Sequence, residues 1–542
     1  MIMKNLYIVP IMFGILCIGT LFVNSSTFTD SQIFPKWIFA FAGLGVIGSC
    51  LSVLFLTGKK FICNIKVLIA IIVMLCVCQT GYGILQFCNL LSPISNTYKV
   101  TGSFDNPAGF AVCLCVGLPC TIYFLLDMNT KSIRWSSWIA LLIISIGILI
   151  SESRTGLLCI VIVVIVHLIC YNWRKIHGGK SIIGFYFGLM LFFVSTVFLI
   201  TSIYQWKKDS ADGRLLIWEC SWEMIKDKPI VGHGIGAFEA HYMEYQASYF
   251  ERHPDSKYTM LADNVKHPFN EFLLVGVQLG VGGWIIMIIL CMFLFYCYKR
   301  HPSTEGYTAL LTLLAIAIFS FFSYPFSYPF TWIIVAWCIG VLIMKGYENI
   351  DIWKITGMRV KRTMAMTLLV ASLLLLYGVT RRTIAELEWR KISSLSLKGQ
   401  TRAMLPRYNK LLSVLEKEPY FLYNYAAELY VGKRYQECLK IASDCRNYWA
   451  DYDLEILQAE TYISLKRYEE AEIYLKKAAL MCPVRFVPLY RLHYIYEKQG
   501  NEEKADSLAR LIIDKPVKVN SAVVRKIKWE MRSLCSDVCT EF

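Results

Sequence analysis

Three side chains of this sequence combine into one kind of chemistry. Arg154 stands in Ser151-Glu152-Ser153-Arg154-Thr155-Gly156, between two apolar runs of near-minimal length. Arg214 stands in Asp212-Gly213-Arg214-Leu215-Leu216-Ile217-Trp218. His267 stands in His267-Pro268-Phe269-Asn270-Glu271-Phe272, where a polar stretch gives way to an apolar one. A guanidinium's planar fork suits phosphate or pyrophosphate. An imidazole titrates near neutrality and can take a proton from a hydroxyl. The combination implies displacement of a lipid-linked pyrophosphate by a hydroxyl, with Arg154 and Arg214 stabilising the leaving group and His267 activating the acceptor. No Asp-rich metal motif accompanies them, so no metal and no cofactor is expected. Each residue also has a plainer reading. Arg154 could be an arginine snorkelling to lipid headgroups, Arg214 a surface residue paired with Asp212, and His267 a structural histidine beside an Asn270 helix cap.

The elements that must position these residues are membrane helices. The chain has 542 residues, 56% of them hydrophobic and 18% charged, whereas soluble domains average about 25% charged. The apolar residues fall in blocks of spanning length. They predict an all-α, polytopic bundle of about eleven spans, near residues 5–23, 34–56, 67–87, 106–126, 135–151, 155–171, 181–203, 270–297, 306–323, 327–345 and 364–380. The first block reads as an uncleaved signal anchor, because ten further spans follow it. A nucleic-acid partner is not expected from the net charge of +15, since the basic residues sit mainly in the short loops of one side. Most of the twenty cysteines lie inside spans, as small apolar filler.

Orientation follows from Lys and Arg, which concentrate in cytoplasmic loops. With the N-terminus inside, the inner segments hold Lys4; Lys59, Lys60 and Lys66; Lys131 and Arg134; Arg174, Lys175 and Lys180; Lys299 and Arg300; and Lys345, Lys354, Arg359, Lys361 and Arg362. The short outer segments hold only Lys36, Lys99 and Arg154. Arg154, the polar loop of about 204–269 and the tail after Arg381 are therefore expected outside. Within the loop, Leu215, Trp218, Trp222 and Ile225 predict an amphipathic helix over Arg214–Lys226, lying along the membrane face. The phrase Pro229-Ile230-Val231-Gly232-His233-Gly234-Ile235-Gly236 resembles a phosphate-cradling loop only superficially, because no strand precedes it. A tight turn re-entering the membrane surface is the better reading. Gly280, Gly282 and Gly283 are expected to let another helix approach closely.

Two domains are expected: a transmembrane domain over 1–380 that carries the external loop, and a helical-repeat domain over 381–542. Tyr435, Tyr468 and Asn501 recur every 33 residues and open similar phrases, and Pro483 and Pro516 share that spacing. The period resembles tetratricopeptide repeats, which bind peptides or other domains on a concave face.

At this point the residues resemble the O-antigen ligase and O-antigen polymerase superfamily, over roughly residues 95–300. The resemblance rests on Gly102-Ser103-Phe104-Asp105-Asn106-Pro107 before a span and on the Ser-x-Ser-Arg stretch ending in Arg154. It rests also on Gly213-Arg214 followed by Trp218, the Pro229/Gly232/Gly234/Phe238 phrase, and Asn270 followed by Gly280 and Gly283. It implies a multi-span enzyme of the bacterial inner membrane with its active face, loop and tail in the periplasm. Such an enzyme moves a glycan from undecaprenyl diphosphate to lipid A core, a growing glycan or protein. The catalytic residues implied are His267, Arg154 and Arg214, with Arg154, Arg214, Trp218 and Asn270 binding substrate. Phe269 stands where many members have histidine, and Gln278 where an acidic residue is common, so His233, His241 and His253 remain alternatives to His267. Ligase, polysaccharide polymerase and protein O-oligosaccharyltransferase share this donor chemistry. Readings from another class are a polysaccharide transporter, which should show matching halves, and a membrane-anchored scaffold whose tail binds a protein partner.

Overall fold

The structure of the protein, a computed structural model, describes residues 8–57, 64–95, 97–127, 130–176, 208–348 and 357–538. The described residues are helical, without strands. In the first half of the chain they form α1 (Ile8–Phe22), α2 (Phe34–Leu56), α3 (Ile65–Phe87), α4 (Pro107–Asp127), α5 (Lys131–Ile150) and α6 (Arg154–Ile176). The polar loop forms α7 (Lys208–Asp227) and α8 (Ala237–Arg252). Four long helices follow: α9 (Glu271–Arg300), α10 (Thr304–Phe322), α11 (Pro329–Gly346) and α12 (Met358–Leu395). The tail adds α13 (Thr401–Leu415), α14 (Pro419–Val431), α15 (Tyr435–Arg446), α16 (Tyr452–Ser464), α17 (Tyr468–Met481), α18 (Val487–Lys498), α19 (Glu502–Asp514) and α20 (Ala522–Val538).

Among the described residues, 8 helices are long and apolar enough to cross a membrane, and Val9–Phe22 and Arg154–Cys170 are shorter apolar helices. The expected span at 181–203 lies outside the described residues. Only a helix satisfies its own backbone inside hydrocarbon, so apolar blocks of this length become helices. Their ends are set locally. Asn64 caps α3 and Ser303 caps α10 by accepting backbone N–H groups. Pro35 and Pro329 sit in the first turns of α2 and α11, where no intrahelical donor is lost.

The chain divides into two compact units. The first holds residues 1–206, 269–271 and 285–387. Its centre is α4, of which 83% of the apolar window is buried. Small residues bring the neighbours in. Gly117 lies against Cys76 and Ile144, and Gly147 against Thr80 and Leu114. Cys76, Cys113, Cys115 and Cys120 are fully buried free thiols that fill this core.

The second unit holds residues 207–268, 272–284 and 388–542, so the loop helices pack with the tail helices. Gln246 of α8 donates to the Met481 carbonyl at 2.6 Å, and Ala450 N–H donates to the Glu239 carbonyl at 3.0 Å. Arg446 and Lys477 both pair with Glu244, at 2.9 and 2.8 Å. Arg485 pairs with Asp263 at 2.8 Å, and Asn264 donates to Asp451 at 2.6 Å. Burial pushes the Asp451 carboxyl up to about 6 and the Glu455 carboxyl up to about 7, although Arg446 lies 2.8 Å from Glu455. Within the tail, one turn recurs between paired helices. Lys433, Lys466 and Gly500 have positive φ, and the next residue donates to Leu429, Tyr462 and Tyr496, each at 2.9 Å.

In α9 the helical backbone is interrupted at Gly280, at φ 62° and ψ −155°. The glycine phrase of the loop fills the break. His233 and Gly234 donate to the Val277 and Gln278 carbonyls at 2.8 and 2.9 Å, while Val281 and Gly282 donate to the Pro229 and Ile230 carbonyls at 2.8 and 3.3 Å. A Cβ on Gly232 would meet Gln278 backbone at 2.4 Å, and one on Gly280 would meet the Ile230 and Pro229 carbonyls at 2.5 Å. What approaches these glycines is thus the loop's backbone rather than a second helix.

Candidate functional site

Arg154 opens α6, in the first unit, and is half-buried. The turn before it is self-bonded. Ser151 Oγ donates to the Ile148 carbonyl at 2.6 Å, Gly156 N–H donates to Ser153 Oγ at 3.2 Å, and Glu152 takes φ 53°. Gly156 lies against Ala111, just inside α4 from Asn106, which puts Arg154 at the Asn106 end of the bundle.

That end carries a polar network that the sequence reading did not assemble. Asn106 Oδ1 accepts from Ala108 and Gly109 N–H at 2.8 and 3.0 Å, capping α4. Its Nδ2 donates to the hydroxyls of Tyr324 and Tyr328 at 2.6 and 2.7 Å. Tyr328 in turn donates to Asp105 Oδ1 at 2.7 Å. Two buried glutamines shape the same loop. Gln79 donates to Ser103 Oγ at 2.6 Å, and Gln86 accepts from Gly102 N–H at 2.8 Å. Lys36, counted above with the outer loops, lies buried in the first turn of α2 and donates to the Ser103 carbonyl. Its place is explained by that carbonyl, which would otherwise lack a partner in a buried loop. The motif Gly102–Pro107 was the one signal in sequence. Its partners Tyr324 and Tyr328 stood in no recognisable phrase.

Asn270 also belongs to the first unit, is 8% exposed, and directly precedes α9. Before it, Phe269 takes φ 53° and turns its ring onto Tyr324, with centroids 5.3 Å apart. Such a conformation is uncommon for a bulky residue and costs on the order of 1–3 kcal/mol. Glu271 accepts from Phe326 N–H at 3.2 Å, so the start of α9 is tied to the α10–α11 connection that carries both tyrosines.

Arg214, Trp218 and His267 belong to the second unit. Arg214 and Trp218 are half-buried on α7, one turn apart. The Trp218 indole donates to the Pro268 carbonyl at 3.0 Å, tying α7 to the residue after His267. The structure therefore brings these three together within one unit. Arg154 and Asn270 lie in the other. The buried stripe of α7 differs from the expected one. Leu216, Ile217, Cys220, Ser221, Met224 and Ile225 are buried, whereas Leu215 and Trp222 are exposed. The reason is that α7 packs against α8, so its apolar contacts are made to protein, and the stripe turns accordingly.

The alternative histidines have occupations of their own. His233 Nε2 lies 2.8 Å from the Met224 carbonyl and 3.8 Å from Asp227. His241 lies 3.9 Å from Glu244, and the ring of His253 packs on Tyr249 at 4.9 Å. Beside them, burial raises the Glu239 carboxyl and the Tyr242 hydroxyl.

A search of curated proteins found no match to this chain. Residues 139–288, a stretch that includes Arg154, Arg214, Trp218, His267 and Asn270, match a family model described as O-antigen ligase. Over that stretch the chain is similar to the O-antigen ligase family, and the similarity supports glycan transfer at a membrane as its general activity.

Proposed function

We propose that this protein transfers a glycan from undecaprenyl diphosphate to an acceptor hydroxyl on the periplasmic face of the inner membrane, as an O-antigen ligase-like enzyme. The observation that carries the reading is the family match, which covers every residue singled out for chemistry. In the proposed step the acceptor hydroxyl gives its proton to His267, and its oxygen attacks the anomeric carbon. The bond from that carbon to the diphosphate oxygen breaks, and undecaprenyl diphosphate leaves with the negative charge. Arg154 and Arg214 meet that charge, which grows in the transition state and is where fixed cations act most strongly. Trp218 and Asn270 hold the substrate. No metal or cofactor enters the step. The acceptor is lipid A core, a glycan or a protein. The tail, read as a tetratricopeptide-like array, binds a protein partner.

Complementation of a host lacking its own transferase tests this. Arg154→Ala, Arg214→Ala and His267→Ala, expressed at normal levels, should leave lipid-linked glycan unconsumed. Full glycan display by all three variants overturns the reading. The product left behind in such a host separates the acceptors. Unlinked long chains mean that ligation was the missing step, and a single linked repeat unit means polymerisation.

A further inference from the structure

Among the described residues, the loop Pro229–Gly236 carries three of the four most exposed large apolar side chains of the second unit. Ile230 and Val231 are each 74% exposed and Ile235 is 89% exposed. The backbone shows what lies beside them. Four hydrogen bonds tie this loop to residues 277–282 of α9, across the break at Gly280. From Val281 the helix runs on to Arg300, about 30 Å at about 1.5 Å per residue, which is the thickness of a hydrocarbon core. Ile285, Ile286, Ile288, Ile289 and Met292 along this stretch are exposed, as side chains facing lipid would be. The loop is therefore fixed where α9 enters its apolar run. Two further features belong to a water–lipid boundary. Trp222 stacks on Trp284, four residues past the break, with centroids 6.2 Å apart and planes at 17°. Lys226 and Lys228, both exposed, precede the loop on either side of Asp227 and leave its N-terminal edge with one net positive charge, which complements anionic headgroups.

We propose that Pro229–Gly236 is a membrane wedge: Ile230, Val231 and Ile235 insert among the acyl chains of an anionic leaflet. The occupant is the bilayer itself. Gly232 and Gly280 have no side chains because the wedge and the broken helix share a backbone-to-backbone contact. The wedge holds the C-terminal end of α7, the helix that carries Arg214, at the leaflet in which a lipid-linked substrate resides.

The test reads lipid contact alone and is independent of the transfer reaction. A photo-crosslinking amino acid is placed at Ile235 in the full chain, reconstituted in nanodiscs of phosphatidylglycerol and phosphatidylethanolamine. The control position is Ile473 of α17, exposed to 65% but far from the loop in sequence. Ile235 should yield phospholipid adducts at least about fivefold above Ile473, and more when phosphatidylglycerol is raised. Equal yields at the two positions, or adducts at Ile235 formed only with protein, overturn the proposal.

Discussion

The two units keep their polar groups in order by different means. At the Asn106 end of the bundle the work falls chiefly to amides and hydroxyls: Gln79 and Gln86 bond the 101–103 loop and Asn106 bonds two tyrosine hydroxyls, while the charged Asp105 and Lys36 bond to neutral partners, the Tyr328 hydroxyl and the Ser103 carbonyl. In the loop–tail unit it falls to ion pairs: Glu244 with Arg446 and Lys477, and Asp263 with Arg485. A charge costs most where water is excluded, so a bundle of apolar helices relies chiefly on amides and hydroxyls. The loop–tail unit uses carboxylates paired with Arg and Lys, so its order depends on pH and salt.

Substitutions can break that contrast. Asn106→Ala removes the α4 cap and the donors to Tyr324 and Tyr328. It should cost about 3 kcal/mol, nearly constant from about pH 5.5 to 8 and insensitive to salt. Thermal unfolding in detergent measures it, and a cost that tracks salt would mean that Asp105 and Lys36, rather than the amide and hydroxyl bonds, set the order of this end. Glu455→Gln probes the other unit. The folded carboxyl, raised to about 7, binds its proton more tightly than the unfolded one. Wild type is therefore favoured below the unfolded pKa and loses that advantage as pH rises from about 4.5 to about 7. Relative to wild type the glutamine variant should gain about 2 kcal/mol between pH 5 and 8, and a flat difference would contradict the burial of Glu455. Trp218→Phe, which deletes the bond to the Pro268 carbonyl, should cost about 1 kcal/mol and loosen the segment around His267. Hydrogen exchange at residues 265–272 reads that change, and unaltered protection would detach Trp218 from this role.

The sequence made the bundle legible because apolar blocks of spanning length have one solution in hydrocarbon. Expected limits such as 34–56 and 106–126 fall within a few residues of α2 and α4. The bundle's polar end was legible only as the phrase Gly102–Pro107. Asn106 meets Tyr324 and Tyr328 across more than two hundred residues of chain, a distance that no local pattern encodes. Lys36 looked like a loop residue because a buried lysine and an exposed one read alike in sequence. The packing of the loop helices on the tail was hidden for a related reason: it rests on charged pairs scattered between Glu244 and Arg485. The recurring left-handed turn went unseen because lysine stands at two of its three positions. The break in α9 was half visible. Gly280 stood out, but the loop backbone that fills the break lies some fifty residues earlier in the chain.

The central claim is that fixed arginines stabilise a departing lipid diphosphate. It is tested most directly by following transfer from lipid-linked glycan by the purified full chain in nanodiscs, comparing wild type with Arg154→Ala and Arg214→Ala. Loss of one such charge should lower the transfer rate by about 100-fold or more while the folded protein is recovered in normal yield. Transfer at the wild-type rate by both variants would contradict the account.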